Sequence, residues 1–405
     1  MHGVVSARLG ALSLFLSLAG LAQMPSSCKG PTEIESAIVK APSADAYNAL
    51  GAWFAQHDHA KCAIPAFQSA IRLRPQAWDG HFNLALALMN ERRFAEAVRE
   101  LNIVNKLSPG HAEVQAALGA ALLESGQPAA AEAALRSALT LAPRSVPALD
   151  RLAQVLVAEK RYSAAIGYLK EAAQLDPKDP NLRIELAAAY SANNEPDRAI
   201  ETLTNLVKDE PGSAIAHFNL ATAYAQQNNF RPSADEYRET LRLDPHNDVA
   251  KLSLVKTLVE LAEFTEALPL IQDYAQRRPS EFESHYLYGS VYRGLGQYEA
   301  AEKELKRAAA MDPNHYEVRY NLGFVLAREG KAEEALPHLK KALELHPDSS
   351  EARFQLARVL RGLNRTDQAG QELQEFLAQK QKGMQDNMAA VKASTANRQL
   401  EGGDA

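Results

Sequence analysis

The stretch YEVRYNLGFVLAREGKAEEALPHLKKALELHPDS, residues 316 to 349, decides the fold of this chain. Leu322 and Leu326 belong to one apolar stripe at the period of an α-helix, and a second stripe of the same period follows Gly330. A glycine between two helices can end the first one in the left-handed conformation without a side-chain cost. Pro347 ends the second helix because proline cannot continue it. The stretch therefore predicts two short helices and a stop.

The same pattern recurs along most of the chain. The eighth residue of each 34-residue unit is Gly or Ala in every copy except Val255, and the twentieth is Ala in every copy except Ser233. The seventh residue is Leu in every copy except Tyr288. Nine prolines stand 34 residues apart: Pro75, Pro109, Pro143, Pro177, Pro211, Pro245, Pro279, Pro313 and Pro347. A fixed period of this kind predicts a solenoid, in which each repeat packs only on its neighbours.

On these residues the chain resembles the tetratricopeptide repeat family, in which each repeat is a helix–turn–helix. The resemblance implies an all-α fold, a right-handed superhelical solenoid of ten stacked repeats over residues 44 to 383. In the family, the eighth and twentieth positions are small because the two helices of a repeat cross closely there. The resemblance also implies a general role in protein–protein interaction rather than catalysis.

The chain divides into four predicted parts. Residues 1 to 22 are predicted to be a signal peptide, and residues 23 to 43 an N-terminal segment with a short helix from Thr32 to Lys40. The ten repeats follow over residues 44 to 383. Residues 384 to 405 are predicted to form a C-terminal capping helix and a disordered tail, because a terminal repeat needs a soluble outer face.

The first 22 residues have the features of a secretory signal. Arg8 precedes the apolar run Leu9 to Ala22, which is shorter than the ~20 residues that a membrane span needs. We expect cleavage after Ala22 and an exported protein, periplasmic or secreted. The alternative is a membrane-anchored protein that faces the periplasm, held by the uncleaved segment or by a lipid on Cys28.

The sequence has two cysteines, and the expected export bears on their oxidation state. Outside the cytoplasm such a pair is often oxidised. We expect a disulfide between Cys28 and Cys62 that fastens the N-terminal segment to repeat one; the alternative is two unpaired thiols. His57 and His59 precede Cys62, but without a fourth ligand or a CxxC partner the segment predicts a solvated turn and no metal site.

Nothing in the sequence predicts catalysis or a cofactor. There is no HExxH, no P-loop and no nucleophile elbow. The formal net charge of −6 argues against nucleic acid as a partner, since binding its backbone calls for a clustered positive field. No small-molecule substrate is expected. His81, His217 and His285 share the fourth repeat position, which favours packing over a site.

The predicted partner-binding surface is the concave groove that first helices line in this family. Four amides occupy the sixth repeat position: Asn83, Asn219, Asn321 and Gln355. Aromatic side chains occupy the fifth or ninth position: Phe82, Phe218, Tyr286, Tyr320, Phe354 and Phe324. Four arginines join them in repeats eight to ten: Arg293, Arg328, Arg358 and Arg361. The amides either hold a peptide backbone, as in some long arrays of the family, or merely solvate the face and cap local packing.

Aromatic side chains beside arginine are typical of binding hot spots. We therefore expect the groove to bind an extended or helical segment of another protein, of acidic character because arginine pairs carboxylates in a bidentate way. The predicted function is an exported, non-enzymatic scaffold in envelope or secretion-complex assembly. The alternative is a substrate-recruiting accessory subunit of a separate enzyme such as a glycosyltransferase.

Overall fold

The computed structural model describes residues 27 to 401, which form 21 α-helices and, within that range, no β-strand. The predicted signal peptide lies outside the described residues, as do the last four residues of the predicted tail. Over the described range no helix is both long enough and apolar enough to cross a membrane.

Helix α1 spans Thr32–Lys40, and the other helices form ten pairs. The first helices of the pairs are α2 (Ala44–Gln56), α4 (Trp78–Asn90), α6 (Ala112–Glu124), α8 (Val146–Ala158), α10 (Pro180–Ala192), α12 (Ala214–Gln226), α14 (Asp248–Glu260), α16 (Phe282–Gly294), α18 (Tyr316–Arg328) and α20 (Ser350–Gly362). The second helices are α3 (Ala60–Leu73), α5 (Phe94–Leu107), α7 (Pro128–Leu141), α9 (Tyr162–Leu175), α11 (Pro196–Asp209), α13 (Phe230–Leu243), α15 (Phe264–Arg277), α17 (Tyr298–Met311), α19 (Ala332–Leu345) and α21 (Thr366–Glu401). The predicted all-α repeat solenoid is confirmed.

The chain forms two compact units, one ending at Leu206 and the other beginning at Val207. In the first unit, successive first helices from α2 to α8 contact one another. In the second unit, the same holds for α14, α16, α18 and α20. Side chains that project from these helices away from their partners therefore share one surface, which we call the first-helix face of each unit.

The two helices of a repeat approach most closely at the small eighth position. A Cβ atom added to Gly323 would lie 2.6 Å from Cγ of Leu339 and 3.2 Å from its backbone nitrogen. Leu339 and Ala335, the small residue at the twentieth position, are both fully buried. The space between α18 and α19 is thus already filled by the larger side chain, which explains why the sequence keeps the opposite position small.

The turn between the two helices has one conformation in all ten repeats. One residue in each turn has a left-handed backbone with φ between 55° and 80°: Asp58, Arg92, Gly126, Lys160, Asn194, Asn228, Ala262, Gly296, Gly330 and Asn364. Glycine and asparagine take this conformation readily, whereas a residue such as alanine is strained by about 1–2 kcal/mol. Three repeats, those with Arg92, Lys160 and Ala262 at this position, therefore carry strain that the glycine and asparagine pattern alone does not indicate.

We expect Ala262→Gly to raise the free energy of unfolding by about 1 kcal/mol, because it removes this strain at φ 56°. Gly296→Ala, at the same position of the next repeat, should lower it by a similar amount. No atom lies within 4 Å of a Cβ added there, so backbone strain alone would act. Urea denaturation followed by circular dichroism measures both variants. Equal shifts of the same sign would contradict the explanation.

Helix α1 occupies the place of a truncated second helix. When 34 is added to its residue numbers, Thr32–Lys40 corresponds to the second half of α3 and the residue after it. Ile38 packs against the cluster of Ala44, Tyr47 and Ala70. A disulfide joins Cys28 to Cys62, with their Cα atoms 5.6 Å apart. The N-terminal segment is thus attached to repeat one both by apolar packing and by a covalent bond.

At the other end, α21 continues without a break from Thr366 to Glu401. The segment predicted as a separate capping helix is, as far as Glu401, an extension of the second helix of repeat ten. Repeat ten has Gln381 at the position where the other repeats have the proline that stops this helix.

The shared histidines connect neighbouring repeats. The same two contacts are made by His81, His217 and His285. The ring Nδ1 lies 2.5 to 2.7 Å from a glutamate carboxylate on the second helix of the same repeat. The ring Nε2 lies 3.0 to 3.2 Å from the carbonyl oxygen of the proline that ends the preceding repeat. Arg353 makes the same two contacts in repeat ten, to Glu372 at 2.8 Å and to the carbonyl of Pro347 at 2.8 Å. The side chain at the fourth position therefore links each of these repeats to the repeat before it.

Candidate protein-interaction surface

A row of aromatic side chains crosses the first-helix face of the second unit. Tyr286, Tyr320 and Phe354 take the fifth position of α16, α18 and α20, which lie side by side. The Tyr286 ring lies 5.1 Å from the ring of His315, and the Tyr320 ring 6.4 Å from that of Phe324. Phe354 is 39% exposed, an unusual state for phenylalanine. The row thus offers apolar area to solvent at the last repeats.

Arg293 lies among these rings. Its guanidinium carbon is 5.4 Å from the centre of the Phe324 ring, within the range of a cation–π interaction. Burial raises the pKa of both Tyr286 and Tyr320, and the positive charge of Arg293 opposes the rise at each. The Nε atom of Arg293 is buried without a hydrogen-bond partner among the described residues. The aromatic rings therefore hold Arg293 without neutralising its charge.

Two of the other three arginines also contact a neutral group. The guanidinium carbon of Arg328 lies 5.4 Å from the centre of the Tyr298 ring, and Arg358 Nη1 donates to Gln355 Oε1 at 3.3 Å. Among the residues whose side chains the structure describes, no carboxylate lies within 4 Å of Arg293, Arg328, Arg358 or Arg361. By contrast, Arg238 on a second helix contacts three carboxylates, those of Asp235, Glu263 and Glu266.

Acidic residues near this surface do not cancel its charge. Glu317 lies 3.1 Å from His315 rather than at an arginine. Glu351 is close enough to Tyr320 to add to the rise of its pKa, yet it forms no ion pair within 4 Å among the described residues. The four guanidiniums of repeats eight to ten are therefore unpaired among the described side chains, although the carboxylates of Glu317 and Glu351 lie near the same face.

Three of the four predicted amides already bond within the chain. Asn321 is buried and donates to Ser290 Oγ at 3.3 Å, and Asn219 donates to the Ile215 carbonyl of its own helix at 2.8 Å. Gln355 accepts from Arg358. The use of these amides to hold a partner backbone stays a prediction, and Gln355 is the one that lies next to an uncompensated arginine.

The structure brings together only part of the predicted set. Phe82 and Asn83 belong to the first unit, where Phe82 packs 6.1 Å from Trp78. Phe218 lies in repeat six and packs on Tyr237, 5.8 Å away. The residues of repeats eight to ten share one face. The sequence analysis did not predict Tyr298, which lies on a second helix and contacts Arg328. Other repeats also have an aromatic residue at this position, so the sequence alone does not single out Tyr298 as part of the surface.

The first-helix face of the first unit has a different chemistry. Gln154 on α8 donates toward the carboxylates of both Asp150 and Glu185, at 3.2 to 3.4 Å. Burial raises the pKa of Glu185 to about 7, and the neighbouring carboxyl of Asp150 acts in the same direction. At neutral pH this carboxyl is therefore partly protonated.

We expect Glu185→Gln to stabilise the first unit at pH 8 by about 1–2 kcal/mol, a figure reduced for partial exposure. The folded-state pKa near 7 lies above the ordinary value of 4.5, so Glu185 costs stability progressively as the pH rises from 4.5 to 7. At pH 4.5 the variant and the parent should be alike. Thermal unfolding at several pH values measures the difference.

Glu195→Gln serves as the control for this prediction. Asn193 and Arg198 lower the pKa of Glu195, so its neutralisation should not stabilise the protein at pH 8. A Glu185→Gln variant with the same pH profile as the parent would contradict the assignment.

The fold and this surface define a class of protein, an all-α repeat solenoid with one exposed aromatic and cationic face. Comparison with family models identifies the repeat. One model described as tetratricopeptide repeat matches residues 54–112, 116–180, 252–316 and 289–350, and a second with the same description matches residues 156–215 and 326–394. The chain belongs to the tetratricopeptide repeat family, whose repeats are generally protein-interaction modules.

Several solved structures are similar to parts of the chain. A tetratricopeptide repeat protein from Parabacteroides merdae is 15% identical, with 62% of this chain and 98% of that chain covered and a TM-score of 0.46. PilF of Pseudomonas aeruginosa is 20% identical, with 52% and 96% covered and a TM-score of 0.44. YrrB, described as a TPR protein with an unusual peptide-binding site, is 24% identical, with 45% and 95% covered and a TM-score of 0.40. No curated protein matches the chain.

Proposed function

We propose that the protein is a non-enzymatic interaction scaffold that binds an acidic segment of another protein on the first-helix face of repeats eight to ten. The observation that carries this proposal is the set of four arginines on that face, none of which pairs with a carboxylate among the described side chains; aromatic rings or an amide hold three of them, Arg293, Arg328 and Arg358. Solenoids use such continuous faces to bind extended partners.

The chemistry of the face supports a partner with carboxylates. A guanidinium makes two parallel hydrogen bonds to a carboxylate, and an uncompensated one gains most from doing so. Tyr286, Tyr320 and Phe354 add apolar area beside the charges, as at the centre of many interfaces. One aromatic position per repeat, on three adjacent helices, suits a segment that runs across the repeats.

We further propose that this scaffold works outside the cytoplasm, in envelope or secretion-complex assembly. The Cys28–Cys62 disulfide supports this location, because such bonds persist in oxidising compartments. The apolar run Leu9 to Ala22 supports it independently.

Binding of peptides by the purified chain tests the scaffold proposal. Peptides displayed from a proteome-derived library are retained on the immobilised protein, and those retained should be net negative and released by salt. The double variant Arg293→Gln and Arg361→Gln should weaken retention at least about tenfold, which corresponds to about 1.4 kcal/mol.

The matched control is Arg231→Gln with Arg242→Gln. Both residues are exposed on α13 and pair with glutamates, so their loss should leave retention unchanged. Equal retention by the parent and by the Arg293/Arg361 variant would place the binding surface elsewhere and overturn the proposal.

A further inference from the structure

A cavity of about 300 Å³ lies at the joint between repeats nine and ten. Its apolar part is formed by small or branched side chains and its polar part by two guanidiniums and an amide. The residues that line it include Ala327, Arg328, Ala332, Gln355, Arg358 and Val359. A space of this size is too small for a folded element but large enough for one side chain or one chain end.

The two guanidiniums of the cavity keep their charge. Arg328 is held by the neutral ring of Tyr298 and Arg358 by the neutral amide of Gln355. The two acidic residues that follow Arg328 along the chain are already engaged, since Glu329 pairs with Lys331 at 3.2 Å. In the same way, Glu333 pairs with Arg365 at 3.0 Å.

The boundary between repeats eight and nine lacks this arrangement, although its helices have the same backbone pattern. One repeat earlier, Gly294 takes the place of Arg328 and Phe324 the place of Arg358. The ring of Phe264 fills the space next to Gly294, because a Cβ added there would lie 2.4 Å from it. The pair of uncompensated arginines is therefore a property of the joint between repeats nine and ten and not of the repeat pattern.

We infer that this cavity binds one carboxylate of the partner segment, with Arg328 and Arg358 as donors and the apolar wall beside the adjoining methylene or methyl groups. A carboxylate is planar and accepts two parallel hydrogen bonds, which matches a guanidinium in shape and charge. The carboxylate belongs to an Asp or Glu side chain or to the C-terminus, since both offer the same group. This inference rests on the proposed function and gives it a fixed position.

Selection of random peptides on the immobilised full chain tests the inference. One library has free C-terminal carboxylates, and the other carries fixed flanking sequence on both sides of the random part. The parent protein should enrich a carboxylate at one fixed place in the retained peptides. Retention of peptides from the first library alone identifies a chain end, enrichment of Asp or Glu at one place in the second identifies a side chain, and either result supports the inference.

The double variant Arg328→Gln and Arg358→Gln should lose this positional preference and bind the enriched peptides about tenfold more weakly or worse. Gly362→Leu should do the same by filling the cavity, without a change of charge; nothing lies within 4 Å of a Cβ added at Gly362. Arg361→Gln, which does not line the cavity, should weaken retention but keep the preference.

Three results would overturn the inference. If both cavity variants keep the parental preference, the carboxylate binds elsewhere, and the interaction surface still stands through Arg293 and the aromatic row. If the parent retains peptides without any carboxylate preference, the cavity has no such role. If the parent retains no peptide at all, the proposed function fails together with the inference.

Discussion

Gly323→Val is expected to lower the free energy of unfolding of the second unit by about 3 kcal/mol. The added Cβ would lie 2.6 Å from Leu339 Cγ and 3.2 Å from the Leu339 backbone nitrogen, so α18 and α19 must move apart. A side chain end could turn away, but a backbone atom cannot. Because solenoids unfold in stages, hydrogen exchange of repeat nine should be measured together with urea denaturation.

Gly370→Ala is the control for this crossing. Gly370 is exposed in α21, and nothing lies within 4 Å of a Cβ added to it. The substitution should therefore stabilise the helix, by up to about 1 kcal/mol. The close-crossing explanation is wrong if Gly323→Val is as well tolerated as Gly370→Ala.

His285→Leu is expected to destabilise the second unit by about 1–2 kcal/mol, because it removes the ring that contacts both the Glu304 carboxylate and the Pro279 carbonyl oxygen. The ring lies 2.7 Å from the Glu304 carboxylate and 3.0 Å from the Pro279 carbonyl oxygen. Glu304 is itself buried, and without the ring it keeps only Arg307 as a partner, at 3.1 Å.

His285→Arg should restore most of this stability. Arg353 already makes the two corresponding contacts in repeat ten, so the backbone of the joint accepts an arginine. Denaturation midpoints of the three proteins decide the matter. If the arginine variant is no better than the leucine variant, the ring acts by its shape and not by its two donors.

The sequence predicts the fold well because the fold depends on local and periodic features. Every first helix begins 34 residues after the one before it, as the spacing of Pro75 to Pro347 requires. The turn conformation at Arg92, Lys160 and Ala262 was not predictable from those residues, since none favours a positive φ. There, the packing of the two helices imposes the backbone that the local sequence resists.

The candidate site was predictable only in part, because it depends on contacts between repeats. The repeat position places Tyr286, Tyr320 and Phe354 on one face, as the structure has them. The same reasoning gave Asn321 to that face, but its amide is buried and bonds to Ser290 of the neighbouring repeat. Which arginine finds a carboxylate is likewise decided by the neighbouring helices, and no single-repeat pattern contains that information.

The constant length of the first nine helix pairs and their turns has an evolutionary consequence. Recombination that duplicates or deletes one 34-residue unit leaves all remaining units in phase, so the array can grow or shrink without redesign of any helix crossing. If the protein binds a partner as proposed, such an event changes the length of partner that the surface can accommodate in steps of one repeat. The cavity between repeats nine and ten would then be the point from which the remaining length of the partner is counted.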